Sequence, residues 1–165
     1  VALTQQFARV APEYLERLRA GAEEWDPGAE NVLDTGWAVW GLILFCRASG
    51  AAPDTVALLD RAVSGDPDGD TGFLDHDGVH DGFTDPPRLL TFDAVADIAS
   101  GLDALDPGAL LADLPDSPDA ASALCGFGPR FDGDVRAHLL EHLAAMREFY
   151  REAALHAQFV VTWVD

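Results

Sequence analysis

Residues 37–46, reading WAVWGLILFC, carry apolar or small side chains on every face of a helix. A helix that is hydrophobic all round belongs in the middle of a core, with other elements wrapped about it. Asp34 is placed to accept the free amides of Gly36 or Trp37, and Gly50 is a natural stop, so the predicted helix spans 35–49. Burying this many large side chains, at about 1.5–3 kcal/mol each, makes it the main stabilising element.

The rest of the chain must supply the walls. Residues 3–10 alternate with several β-formers and predict a short strand. Pro12 opens an amphipathic helix over 12–24 with Tyr14, Leu15, Leu18 and Ala22 at helical spacing, and Asp26-Pro27-Gly28 breaks it. Asp54 is read as the cap of a helix to Val63, which Gly65 ends. Arg88-Leu89-Leu90 predicts a strand, and Thr91 caps a helix carrying Phe92, Val95, Ile98, Ala99, Leu102 and Leu105. Asp106-Pro107 opens a short helix that runs to Leu114. Residues 116–130 form a connector with one helical turn, and Gly133-Asp134 start a long helix over 135–155. Residues 158–164 are β-branched and aromatic enough for a buried strand. The expected fold is α+β: about six helices packed on a small, mostly antiparallel sheet that includes both chain termini, as one domain over 1–165.

Charge narrows the partners. Ten basic residues, all arginine, face 29 acidic ones, for a formal charge of -19. Such a surface repels phosphates, which argues against nucleic acid and anionic membranes and favours a basic protein. The longest apolar run is far shorter than the roughly 20 residues that span a bilayer. The N-terminal stretch shows no charged and apolar leader, and Cys46 and Cys125 show no disulfide or zinc spacing, so a cytoplasmic protein is expected.

The stretch 64–85, SGDPDGDTGFLDHDGVHDGFTD, concentrates seven aspartates, two histidines and five glycines, and it reads as an exposed loop. Asp66, Asp68 and Asp70 have the alternate spacing of a calcium loop. The pattern then fails: Thr71 stands where glycine is needed, Asp77 stands where a bidentate glutamate is needed, and no helix can follow. A weak divalent-cation site is the most this loop offers as a calcium loop, and no other cofactor is expected. Asp75, His76, Asp77, His80 and Asp81 carry the imidazole and carboxylate donors that suit zinc, iron or manganese. Read as a recognition surface instead, Asp66, Asp68, Asp70, Phe73 and Asp77 are the candidate partner contacts.

A second cluster, His138-Leu139-Leu140-Glu141-His142, matches the HxxEH spacing of inverted zinc peptidases. Glu152 and His156 return to the same face, but a straight helix spreads the four groups over about 27 Å, so they cannot meet one ion. The expected role is a polar flank, with His142 helped by Glu141 or Arg136. No nucleophile elbow or phosphate-binding glycine fingerprint is present, so nucleophilic catalysis has no motif to rest on.

The order of pieces resembles the YfbM-like domains of unknown function. The matching segments are 6–18 (QFARVAPEYLERL), 33–45 (LDTGWAVWGLILF), 58–66 (LLDRAVSGD), 81–105 (DGFTDPPRLLTFDAVADIASGLDAL) and 148–165 (EFYREAALHAQFVVTWVD). The resemblance implies an α+β fold and brings no activity with it. Family members commonly carry a lysine after the aspartate that begins the tryptophan-rich helix, and often a histidine one turn later. Those places here are Thr35 and Gly41, so a chemical role of either family residue is not expected in this chain. The leading expectation is an acidic protein-binding module, of the inhibitor or immunity type, for a basic partner. The alternatives are a metal-dependent hydrolase using the Asp/His-rich loop and a structural or oligomerisation domain.

Overall fold

The computed structural model describes residues 3–165; Val1 and Ala2, which open the stretch read for a leader, lie outside the described residues. Strand β1 (Gln5–Val10) and strand β4 (Phe159–Val164) form the longest pairing, antiparallel from Gln5 opposite Val164 to Val10 opposite Phe159. Strand β2 (Val32–Asp34) pairs with the other edge of β1, and strand β3 (Arg88–Leu90) with the other edge of β4. The resulting sheet, in the order β2-β1-β4-β3, is antiparallel throughout and joins the two ends of the chain, as expected.

Period-two alternation sorts the strand residues between two faces. Phe7, Leu90 and Val160 point to one side, where helices α2 (Ala38–Ala48), α3 (Pro53–Ser64), α4 (Phe92–Ala104) and α7 (Val135–Leu155) build the larger core. Ala8, Val10, Val161 and Trp163 point to the other side, against Leu15 of helix α1 (Pro12–Arg19) and against Leu74 and Val79 from the acidic stretch. Both faces are covered, so the sheet is the middle layer rather than a wall.

Several boundaries differ from the sequence expectation. Helix α1 ends at Arg19 rather than residue 24, because the backbone turns through Ala20 and Gly21. Strand β2 was not anticipated; three residues are too few for periodicity to show. Asp34 does accept the Gly36 amide, at 2.7 Å, but in the turn after β2, and α2 begins at Ala38. The capping position of α3 is Ala52, with Asp54 inside its first turn. Helix α5 (Pro107–Leu110) stops one turn early, though Asp106 caps it as expected. Within the connector, Ser117 caps a two-turn helix, α6 (Pro118–Leu124), which brings the helices among the described residues to seven. The central helix is also not buried all round: Leu44 and Trp37, one heptad apart, are 41% and 38% exposed.

The Thr35 and Gly41 positions are closed by packing. Thr35 is buried, its hydroxyl 3.5 Å from the Gln5 carbonyl. A Cβ on Gly41 would lie 2.5 Å from the Phe127 ring and 3.1 Å from the Cys125 carbonyl oxygen, so the site admits no side chain without moving α6's exit.

The last turn of α3 is finished by side chains from distant elements. The Tyr150 hydroxyl on α7 donates to the Ala62 carbonyl, and the Thr162 hydroxyl on β4 donates to the Val63 carbonyl at 2.6 Å. These are carbonyls that a helix end otherwise leaves without a partner. Burial pushes the Tyr150 phenol far above its ordinary pKa, so it stays a donor at any working pH.

Candidate functional site

The acidic stretch is a lid before it is a loop. Asp66 leaves α3 held by Arg61 through two bonds of 2.8 and 2.9 Å, a fork that keeps its carboxyl below the usual range, and forms a bridge to Leu89. A short turn, Gly72–Leu74, then drops Leu74 onto the sheet, and Val79 and His80 follow it into the interior. This corrects the reading of the stretch as exposed throughout. Glycine and aspartate dominate its composition, so three buried residues leave no period to detect. Phe73 is half-buried with the Arg19 guanidinium 4.8 Å above its ring.

His80 is the polar pin of this lid. Its Nδ1 accepts the Gly82 amide at 3.3 Å, which leaves Nε2 to carry the proton and donate to Asp75 at 2.9 Å. The remaining acids shape turns: Asp70 accepts the Gly72 amide, Asp81 accepts the Phe83 amide, and His76 Nδ1 accepts the Gly78 amide. Two bonds fasten the end of the stretch to the C-terminus, from the Asp81 amide to the Asp165 carboxylate and from the Thr84 hydroxyl to the Val164 carbonyl.

Of the proposed metal-donor set, Asp75 and His80 are therefore brought into contact, while His76, Asp77 and Asp81 lie exposed on their own turns. Among the described residues no three His, Cys, Asp or Glu side chains are grouped to hold a metal ion. Of the proposed partner contacts, Asp68, Asp70 and Asp77 are exposed, whereas Asp66 is held by Arg61 and Phe73 by Arg19. Phe83, an aromatic beside the loop acids, is 86% exposed, between Asp81 and Asp85. Its signal in sequence was an aromatic with no apolar neighbour at strand or helix spacing.

The HxxEH cluster on α7 is aromatic in its surroundings. The His138 ring packs on Phe127 and Phe131, with the His142 ring centred 4.4 Å from it and tilted by 56°, and His142 Nδ1 donates to the His138 carbonyl at 2.9 Å. Glu141 faces solvent, and Arg136 reaches instead to the Leu111 and Leu114 carbonyls, so it holds the chain after α5 rather than His142. Burial and the neighbouring His142 lower the pKa of His138, with Glu141 opposing them. The unfolded chain then binds this proton more readily than the folded one, so stability is full above the ordinary imidazole pKa and is lost as pH falls through it toward the folded value. Between about pH 7.5 and about pH 5.5, the melting temperature is expected to drop, and His138→Gln is expected to remove part of that drop. An unchanged pH profile in the variant would assign the loss elsewhere.

Both ends of the acidic stretch return to one cleft. It lies on the helix side of the sheet, where β1 begins and β4 ends, between Trp40 in the first turn of α2 and Ser64 at the end of α3, and has a volume of about 190 Å³. Its floor is a closed polar network. The Trp40 indole N–H donates to Gln5 Oε1 at 3.0 Å, the Gln5 amide donates to the Thr162 hydroxyl at 2.6 Å and to the Trp163 carbonyl at 2.9 Å, and Thr162 passes its own proton to Val63. Gln5 and Thr162 are both buried, and each finds its partners within the floor. Asp85 and Arg88 stand at the mouth.

The fold defines a class: an α+β domain with a four-stranded antiparallel sheet, helices α2, α3, α4 and α7 on one face, and α1 with a pinned acidic lid on the other. No protein-family model matches the chain. No curated protein matches it either. A solved structure does, that of YfbM from Escherichia coli, a protein of unknown function, over 97% of this chain and 98% of that one, with a TM-score of 0.56 and 17% identity. At that identity the likeness shows the fold, and it bears out at that level the resemblance seen in the ordered motifs. Among the described residues no helix is long and apolar enough to cross a membrane.

Proposed function

We propose that this chain is a cytoplasmic, non-catalytic protein-recognition module that binds a basic partner through its acidic lid. The observation that carries the reading is Phe83: a large aromatic side chain 86% in solvent, flanked by Asp81 and Asp85. Its backbone is held by the Asp81 carboxylate and by the Thr84 bond to the C-terminal strand. An aromatic anchor inside a ring of charge is the usual composition of an interface hot spot, and a preordered loop spares the entropy of folding on contact. The formal charge of -19 steers cationic partners toward it. A reducing compartment suits the two cysteines, both free, both buried, with thiols that burial pushes up to about 11.

The partner set of a tagged chain is expected to be rich in basic proteins and to thin out as salt rises. For any partner so captured, Phe83→Ala should weaken binding by roughly tenfold or more, the loss of one hot-spot side chain. Binding that ignores both salt and Phe83 would sink the reading.

A further inference from the structure

The cleft at the root of the lid has features that protein recognition does not use. Its floor satisfies its own hydrogen bonds, so it offers rigidity and the apolar surface of Trp40 and Val63 rather than unmet donors. The mouth is different. Arg88 and Asp85 both line the cleft, yet no ion pair joins them, and neither side chain has a hydrogen-bond partner among the described residues. Other arginines of the chain are taken by carboxylates, Arg61 by Asp66, Arg151 by Asp103 and Arg47 by Asp60. Arg88 and Asp85, three residues apart on the segment that enters β3, line one concavity without pairing, which leaves both charges available to a ligand that carries the opposite two.

The backbone around the mouth keeps this arrangement in place. Gly65 has φ +68, and a Cβ there would lie 2.8 Å from the Cβ of Arg88, so the exit of α3 sits directly against the root of the arginine. Arg88 itself is registered opposite Thr162 in the floor.

We propose that the cleft binds a free α-amino acid, with its carboxylate on Arg88, its ammonium on Asp85 and its side chain against Trp40. Ligand charge decides between classes. A phosphate or dicarboxylate approaching a chain of charge -19 meets a long-range repulsion, whereas a zwitterion is neutral overall and meets none. Size is compatible with a small ligand: the cleft offers about 190 Å³. The proposal stands apart from the recognition role of Phe83, which lies outside the cleft lining.

The test is calorimetric titration of the full chain with each of the twenty free amino acids, with the Trp40 indole N–H resonance followed in parallel. At least one amino acid should bind saturably and shift the Trp40 resonance. Its carboxamide and its deaminated acid should each bind at least about tenfold more weakly, as should the parent to Arg88→Gln and to Asp85→Asn, the loss of one charge-assisted contact. Phe83→Ala should leave the affinity unchanged. The proposal falls if no amino acid saturates the chain by about 10 mM. It falls equally if Arg88→Gln, with an unaltered melting temperature, binds as tightly as the parent, or if the Trp40 resonance stays fixed while ligand binds.

Discussion

Replacing Phe7 by alanine is expected to cost about 3–5 kcal/mol of stability, the range for removing a fully buried aromatic ring. Phe7 is 0% exposed and lies where β1 meets α7, its ring 5.9 Å from that of Phe149 and 6.3 Å from that of Tyr150. Helix α7 is one piece of 21 residues pinned at Tyr150 to the end of α3, so it cannot slide in to fill the gap. For a chain of this size the melting temperature should fall by roughly 2–4 °C per kcal/mol. Denaturant unfolding followed by circular dichroism measures the loss directly. A cost below about 1.5 kcal/mol would mean that the layer between sheet and α7 collapses onto the cavity despite the pin at Tyr150.

The second large effect is expected at Leu74. Leu74→Ala removes the apolar foot of the acidic lid, which is buried against the sheet with Val79 and Trp163, and should cost about 2–5 kcal/mol. Its distinctive result is local. With the foot gone, the stretch between Asp66 and Thr84 keeps only Val79, the His80–Asp75 pair and the Asp81 bond to Asp165, so limited proteolysis should cut it well before the core opens. Affinity for the proposed basic partner should fall with it, because a loop ordered only on binding forfeits the preorganisation that supports Phe83. Stability loss without faster cleavage in 66–85 would show that Val79 and the His80–Asp75 pair hold the lid unaided.

Residues whose structure is encoded locally were legible in the chain. The long helix runs over Val135–Leu155 as its apolar stripe required, with Asp134 accepting the Ala137 amide, and Asp106 caps α5 in the same way. Such features depend on neighbours three or four residues away, which sequence displays directly. The terminal strands were legible too, because β-branched and aromatic runs have few other uses in a compact chain. For the site, only half was visible. The acidic stretch stood out by composition, but its histidines divided into a buried pin, His80, and an exposed turn residue, His76, on grounds no spacing rule contains.

What the sequence alone determined, then, is the α+β class, most of the helical pieces with the caps at Asp106 and Asp134, and a formal charge of -19, since each follows from local periods or from a sum over residues. Only the tertiary structure decided that the central helix keeps a wet edge at Trp37 and Leu44, that the acidic stretch is a lid, and that a cleft stands at its root. The physical reason is distance along the chain. The bond from Gln5 to Thr162 spans 157 residues and that from Thr162 to Val63 spans 99, and such bonds exist only once the sheet has drawn the two ends of the chain together.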